Sequence, residues 1–292
     1  MPGTGSKSSG RLSFELLDET LDLNNTETYH LSIQVALDGL LFAILDPAGA
    51  KYLGLKKYSF EKTFNPELLY DKIKAILEID PFFKRPYQGV SCICNESRST
   101  LLPAALFLKD HLKLYFEFNH VLNDLDELHY NYLKQEDAYL VFPVYSEIAN
   151  LFLQRWMNTG FFNQATPFID TILSIENAKN RIAGINFNEG HFDIIVVENN
   201  KLKYHNNFSF RTDEDFLYFA LFVFDKLGLN QESTPLLISG DFDKFSERPS
   251  MMKKYFQKLS FQPAPSEFRY PPSFHKIQDH FLLNLLRIYH CA

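Results

Sequence analysis

Cysteine is scarce, at three of 292 residues, and no two of the three form a Cys-x-x-Cys pair. That excludes a disulfide framework and a thiolate zinc site. Cys92 and Cys94 alternate along GVSCIC and read as strand core. Long apolar runs are also missing. The longest unbroken one, Phe216 to Phe224, falls far short of the roughly 20 residues a membrane span requires. The opening MPGTGSKSSG has no apolar segment, so it is no secretory signal, and its small polar residues predict a disordered tail over 1–11. Positive charge is in deficit, with 29 Lys and Arg against 36 Asp and Glu and a net charge of -7. That argues against a nucleic-acid partner held through phosphates. GxSxG, HExxH and GxxxxGK[ST] are all absent, and His129, His205 and the other histidines lack ligand spacing. The expectation is a cytoplasmic protein without a metal centre or membrane span.

What is abundant is aromatic and aliphatic core material: 29 Phe, 15 Tyr and 46% hydrophobic residues. At this length that suffices for one large or two mid-sized domains. The pattern that organises it is an internal repeat. Ile182 to Phe210 reads as three antiparallel strands, turning at Asn188-Glu189-Gly190 and at Glu198-Asn199-Asn200, around a β-branched middle strand. Leu31 to Phe60 carries the same unit. Gly39 and Gly190 lie 151 residues apart and Ser59 and Ser209 lie 150 apart, so the copies align with one deletion in the second hairpin loop. Ile44/Ile195, Lys51/Lys201 and Phe60/Phe210 are further identities. Asp38-Gly39 is read as a type I′ turn needing positive φ.

Each unit then runs into a helix and a strand. Asn65-Pro66-Glu67 caps a helix whose Leu69, Ile73, Ile76 and Leu77 share one face, and Gly89 to Cys94 follows as a buried strand. Thr212 to Asp215 caps a helix over Phe216 to Leu227, closed by Gly228, and apolar enough all round to be buried. Pro235 to Gly240 is the strand after it. Further helix, strand and helix are read at 146–157, 161–164 and 167–176, and at 249–259, 267–270 and 276–289. Leu12 to Leu17 is read as a short strand or turn before the first unit, and the acidic 18–27 as a loop. Between Asn95 and Tyr145 the first half holds about fifty extra residues, too many for a structureless loop. Thr100 to Phe107 is read as extended, Asp110 to Phe118 as a helix, and Leu128 to Leu133 with Tyr139 to Val144 as a hairpin, giving a subdomain at 98–144.

Two β-β-β-α-β-α-β-α halves resemble the duplicated ribonuclease-H-like fold of the actin, chaperone and sugar-kinase superfamily, an α/β fold. The resemblance implies a first domain over 12–179 with the α+β insertion, a second over 180–292, and a nucleotide cleft between them. The superfamily's second phosphate loop, Asp-Leu-Gly-Gly-Gly-Thr-Phe-Asp, is similar to Asn186 to Asp193 here, with Gly190, Phe192 and Asp193 matching. The leading Asp is Asn186, two glycines are Asn188 and Glu189, and Thr is His191. The adenosine strand ending in Gly-Gly is matched by Ser239-Gly240. The first loop offers Asp38 and Gly39 at its tip, while Ile33, Gln34 and Val35 stand where its Asp is sought. YHLSIQVALDG, LLPAALF and DAYLVFPV resemble, more closely, a family of bacterial proteins of unknown function with an actin-like ATPase fold. The insertion is similar to those of the cell-division and pilus-assembly branches.

The chemistry decides between readings. Phosphates are held by backbone N–H groups in glycine turns and by Mg²⁺ that carboxylates position. Side chains at Asn188 and Glu189 obstruct that approach, and Asn186 removes the Mg²⁺-orienting charge. The predicted cleft residues are therefore Asp38, Gly39, Asn186, Asn188, Gly190, Asp193, Ser239 and Gly240, with Mg·ATP bound weakly or not at all and no catalytic residue. Asp241-x-Asp243 reads as turn chemistry rather than a metal site. His191 with Asp193 lacks a nucleophile to serve. The function implied is a protein-interaction or assembly scaffold, with a partner captured through 98–144. The alternatives are an ATP-dependent enzyme or phosphotransferase using the cleft, and a small-molecule sensor.

Overall fold

A computed structural model describes residues 10–61, 66–175 and 181–292. The tail over 1–9, the Asn65 cap, the helix end at Glu176 and the 179/180 boundary lie outside the described residues. The chain begins with β1 (Arg11–Leu17), β2 (His30–Ala36), β3 (Gly39–Asp46) and β4 (Lys51–Ser59), then α1 (Pro66–Ile79) and β5 (Gly89–Cys94). The inserted segment holds β6 (Thr100–Pro103), α2 (Leu112–Glu117), β7 (Asp126–Leu133) and β8 (Ala138–Tyr145). Next come α3 (Ser146–Arg155), β9 (Thr159–Asn163) and α4 (Ala165–Leu173). The remainder is β10 (Ile182–Asn188), β11 (His191–Glu198), β12 (Lys201–Ser209), α5 (Asp213–Lys226), β13 (Leu236–Gly240), α6 (Glu247–Met252), β14 (Leu259–Phe261) and α7 (Leu283–Arg287).

Two main sheets result, ordered β1-β4-β3-β2-β5-β9 and β12-β11-β10-β13-β14. In each, the three-stranded meander is antiparallel and the last two strands add in parallel. The register refines the sequence alignment. Ala36 faces Gly39 across a Leu37-Asp38 turn, and Asn188 faces His191 across a Glu189-Gly190 turn. Gly39 therefore corresponds in place to His191, and Gly190 to Asp38. The second hairpin loop is shorter by two residues rather than one, because Asp46 pairs with Lys51 whereas Glu198 pairs with Lys201. Past that loop Lys51, Ser59 and Phe60 still correspond to Lys201, Ser209 and Phe210. Both meanders carry a bulge at the same place, between Ile44 and Leu45 and between Val196 and Val197. Phe60 N–H donates to Asp38 O as Phe210 N–H does to Gly190 O.

Only one of the two turns needs positive φ. Gly190 has φ 74°, whereas Gly39 is absent from the positive-φ glycines of the described residues. Gly39 instead starts β3, where an added Cβ would lie 2.5 Å from the Tyr58 carbonyl oxygen. The expected strand at 267–270 is also corrected. The strand parallel to β13 is Leu259–Phe261, and Arg269 makes an isolated bridge to Lys51. The expected helix over 276–289 is broken into 3₁₀ turns around the five-residue α7. Its residues fall into separate turns, Asp279–Phe281, Leu283–Arg287 and Ile288–His290.

Helix α5 starts on a complete capping box, with Thr212 accepting from Asp215 N–H and Asp215 accepting from Thr212 N–H. It is not buried all round: Phe216, Leu217, Ala220, Val223 and Phe224 face the sheet, and Tyr218 and Phe222 face out. In the insertion, β6, β8 and β7 make their own three-stranded sheet, with Leu102, Phe116 and Val141 as a small core. Its hairpin also reaches into the body, as Leu133 and Leu140 pack on α4 while Phe142 and Val144 join the core of the first sheet. Between the two main sheets lie α4 and the C-terminal segment. Leu282, Leu285 and Leu286 pack on Leu41, Ala43 and Leu45 of β3. Leu283 turns instead to Phe168 and Ile172 of α4 and to Ile195 of β11. Tyr52 Oη donates to the Leu286 carbonyl at 2.7 Å. Among the described residues no helix is long and apolar enough to cross a membrane.

Candidate functional site

The two first turns face one cleft. Strands β2 and β10 bring up Gln34 and Asn186, their turns bring up Asp38 and Glu189, and the end of β13 adds Gly240 and Asp241. Lys57 and Asn95 complete the first-half wall, and His280, Phe281 and Asn284 close the cleft from the C-terminal segment. The enclosed volume is ≈ 40 Å³. A water needs roughly 10–15 Å³ on this measure, whereas pockets for drug-sized ligands run to about 300–1,000 Å³. As built, the cleft has room for a few waters.

Carboxylates outnumber cations in its lining. Asp38, Glu189 and Asp241 share the lining, and Lys57 Nζ stands 3.8 Å from Asp241 and 4.5 Å from the Phe281 ring centroid. Burial pushes the Asp241 carboxyl above its ordinary value, and Asp38 and Glu189 push it the same way against Lys57. Asn186 is buried on the cleft wall, accepting from Ser239 Oγ at 3.0 Å, and its Nδ2 has no hydrogen-bond partner among the described residues. Its side chain is an uncharged amide and supplies no carboxylate to a metal. No group of three or more His, Cys, Asp or Glu is placed to hold a metal among the described residues. Asp243 accepts from Phe245 N–H and from Gln278 Nε2, each at 2.9 Å.

Of the eight predicted cleft residues, Asp38, Gly39, Asn186, Asn188 and Gly240 line it. Ser239 supports Asn186 from behind. Gly190 shapes the turn, and open space surrounds the position a Cβ would take. Gly240 has a backbone reason of its own, with φ 104° and an added Cβ 2.0 Å from Phe187 O. Asp193 is not in the cleft. It is fully buried and accepts from Asn207 Nδ2 at 3.1 Å, Gln164 Nε2 at 3.2 Å, and Asn188 Nδ2 and His205 Nε2 at 3.4 Å. Burial alone would raise its carboxyl; the hydrogen bond and charge of His205, with Asn207, outweigh burial and hold it below its ordinary value.

Sequence reading missed three of these partners. His205 takes the place beside Asp193 that His191 was considered for, while His191 Nδ1 meets Glu189 O at 3.2 Å. Gln164 comes from the first half, where its side chain also accepts from Glu96 N–H at 2.9 Å and donates to Glu96 O at 3.0 Å. It thus ties β5's exit to β11 of the second half. Asn207 is opposite Asp193 in register, and His205 lies two residues along β12, opposite Ile195. Nothing local to Gln164 signals its role.

A family model described as "Protein of unknown function (DUF3822)" matches residues 18–259. No curated protein matches the chain by sequence. A solved protein of Bacteroides thetaiotaomicron VPI-5482, described as having an actin-like ATPase fold and unknown function, superposes with TM-score 0.77 at 22% identity, over 83% of this chain and 94% of that one. A structure described as the PilM-PilN type IV pilus biogenesis complex gives TM-score 0.54 at 11% identity, covering 90% of this chain and 96% of that one. Ethanolamine utilization protein EutJ from Carboxydothermus hydrogenoformans gives 0.51 at 10% identity, covering 90% of each chain. The fold is that of the actin-like ATPases.

Proposed function

The chain belongs to the DUF3822 family, whose function is unknown, and we propose that it is a non-catalytic actin-like protein that works as an interaction or assembly scaffold. Its two halves, by this reading, descend from one duplicated ribonuclease-H-like unit. The shared strand order, the bulge at the same point of each meander and the matching turn hydrogen bonds support that descent.

The single observation that carries the functional reading is the cleft itself: ≈ 40 Å³, lined by Asp38, Glu189 and Asp241. A carboxylate a few ångströms from a triphosphate opposes it by roughly 1 kcal/mol or more at surface-like dielectric. Three of them, with Asn186 where a metal-orienting charge would stand, oppose both binding and hydrolysis. Mg·ATP fits these residues poorly, and no catalytic step is assigned to them. The insertion supports the scaffold side. Leu106, Leu108, Leu114, Phe118 and Val121 are all exposed there, Phe118 at 88%. Apolar groups concentrated this way mark interaction surfaces.

Calorimetry with Mg·ATP tests the reading. The expected result is no binding tighter than about 10 μM, roughly −7 kcal/mol, with no phosphate released. Replacing Asn188 and Glu189 by glycine is expected to raise the affinity. Tighter wild-type binding, or turnover, moves the protein to the enzyme reading.

A further inference from the structure

The two main sheets end differently. In the first, β4 is covered by β1, which pairs with it antiparallel from Arg11 opposite Ser59 to Leu17 opposite Gly54. The covering segment is fixed by charge. Glu15 Oε1 lies 2.7 Å from Lys56 Nζ, and Asp18 Oδ1 lies 2.8 Å from Lys51 Nζ. Beyond it, Leu21 and Leu23 lie down on the core of the first sheet. In the second sheet the corresponding strand, β12, is the edge. None of its residues is classed as buried, whereas six of the nine in β4 are.

The bare edge keeps the fittings of the covered one. Lys201 corresponds to Lys51, yet it reaches the Gln135 carbonyl at 3.4 Å and meets no carboxylate among the described residues. Lys203 adds positive charge two residues along the same strand. The Asn207 N–H of β12 is taken by the neighbouring Asn206 side chain at 2.9 Å, a local substitute for a paired strand. Below the edge, α1 and α5 each have 14 residues and bury the same positions, with Leu69, Ile73, Ile76 and Leu77 matched by Phe216, Ala220, Val223 and Phe224. Their outer faces differ. Asp71 and Ala75 of α1 are replaced in α5 by Tyr218 and Phe222, which are 63% and 42% exposed. A run of ring contacts, Phe208 to Phe219 at 4.9 Å and Phe219 to Tyr218 at 5.4 Å, joins that face to the edge strand.

We infer that the β12 edge and the outer face of α5 form a docking site for an extended segment of a partner protein, which adds as an antiparallel strand. Main-chain pairing supplies the geometry of such additions and side-chain pockets supply the selectivity. The segment alternates apolar residues with carboxylates, places one carboxylate at Lys201 as Asp18 is placed at Lys51, and lays an apolar residue on Tyr218 and Phe222. The inference uses the correspondence of the two sheets and is independent of whether the cleft takes nucleotide.

The chain's own covering segment is the template for a probe. A fluorescent peptide of residues 11–23 is titrated into the full-length protein. The expected result is saturable binding, weakened at least tenfold by Lys201→Glu and several-fold by Tyr218→Ser with Phe222→Ser, and spared by Lys51→Glu. Lys201, Tyr218 and Phe222 are exposed and Lys51 is half-buried, and an unchanged thermal transition checks that each variant is folded. Absence of binding, or binding lost in Lys51→Glu and kept in Lys201→Glu, overturns the site, the latter because the peptide is then exchanging with β1. A concentration-dependent dimer that Lys201→Glu dissolves overturns the choice of partner and gives the edge to a second copy of this chain.

Discussion

At several corresponding positions in and behind the cleft, the first half carries apolar side chains where the second carries polar ones or glycine. Ala36, Leu41, Ile93 and Cys94 stand in β2, β3 and β5; Asn188, Asp193, Ser239 and Gly240 take their places in β10, β11 and β13. Strand order and pairing are the same in both, so the difference is not required by the sheets. The first half has filled the site with core. The second has kept buried polar groups and found them partners inside the protein: Gln164 from the other half, and His205 and Asn207 from β12. Buried polar groups persist when they are paired. Here the pairing through Gln164 is a tie between halves.

The strongest way to break that comparison is to install the first half's residue in the second. Asp193→Leu leaves the side-chain donors of Gln164, Asn188, Asn207 and His205 without their acceptor in a closed interior. Removing one partner of a buried charged network costs roughly 3–5 kcal/mol, and urea unfolding reads that loss directly. The acid limb gives a second readout. The Asp193 carboxyl is held below its ordinary value in the folded state. Its stabilisation is therefore complete above the unfolded value near about 4, and it disappears as pH falls through the folded value. Wild type is expected to lose stability across that interval more steeply than Asp193→Leu. Equal slopes would show that the carboxylate contributes nothing to the tie.

A smaller effect is expected at Gly240, whose counterpart is Cys94. Both end a strand parallel to the first strand of their meander, opposite Phe187 and Val35. Gly240 has φ 104°, and a Cβ there would meet Phe187 O at 2.0 Å. Gly240→Ala is expected to cost about 2 kcal/mol through strain and backbone displacement, against well under that for Cys94→Ala. Thermal melts of the two variants check it. Similar costs would mean that the glycine answers to a ligand and not to the backbone.

Much of this fold is legible because it rests on local chemistry. The β-branched run of β11, the Thr212 cap of α5 and the apolar stripe of α1 each specify their element where they stand. The repeat is legible for the same reason, though its register is not. Aligning Gly39 with Gly190 assumes that both glycines serve a turn, whereas Gly39 is small because the Tyr58 carbonyl passes close to it. The C-terminal stretch misleads because its hydrophobic content is real and its periodicity is not. Leu282 to Leu286 contact both sheets at once, so burial on every side imposes no helical stripe. The expected cleft residues were named through their resemblance to the superfamily's phosphate loops, and five of the eight line the cleft. The closure of the cleft by Phe281 and the Gln164 tie depend on residues far apart in the chain, which no local pattern contains.

The finest comparison lies at the second hairpin loops. Asn199 and Asn200 close the β11–β12 loop at φ 54° and 57°, the left-handed pair that a two-residue turn requires. The β3–β4 loop is longer by two residues, and its last, Ala50, stands at φ 44°. Asparagine tolerates that region because its short polar side chain bonds locally; alanine has no such compensation and is strained there by about 1 kcal/mol. Glycine removes the strain but adds freedom to the unfolded chain, which offsets about 0.4–1 kcal/mol. Ala50→Gly is thus expected to be neutral to stabilising by about half a kcal/mol, and Asn200→Gly to be neutral or slightly destabilising. The Arg269 N–H that donates to Ala50 O at 2.8 Å is a backbone contact and survives the change. Paired urea titrations resolve the order of the two. If Ala50→Gly destabilises more than Asn200→Gly, the alanine methyl is packing against the C-terminal segment, and its contacts there outweigh the strain.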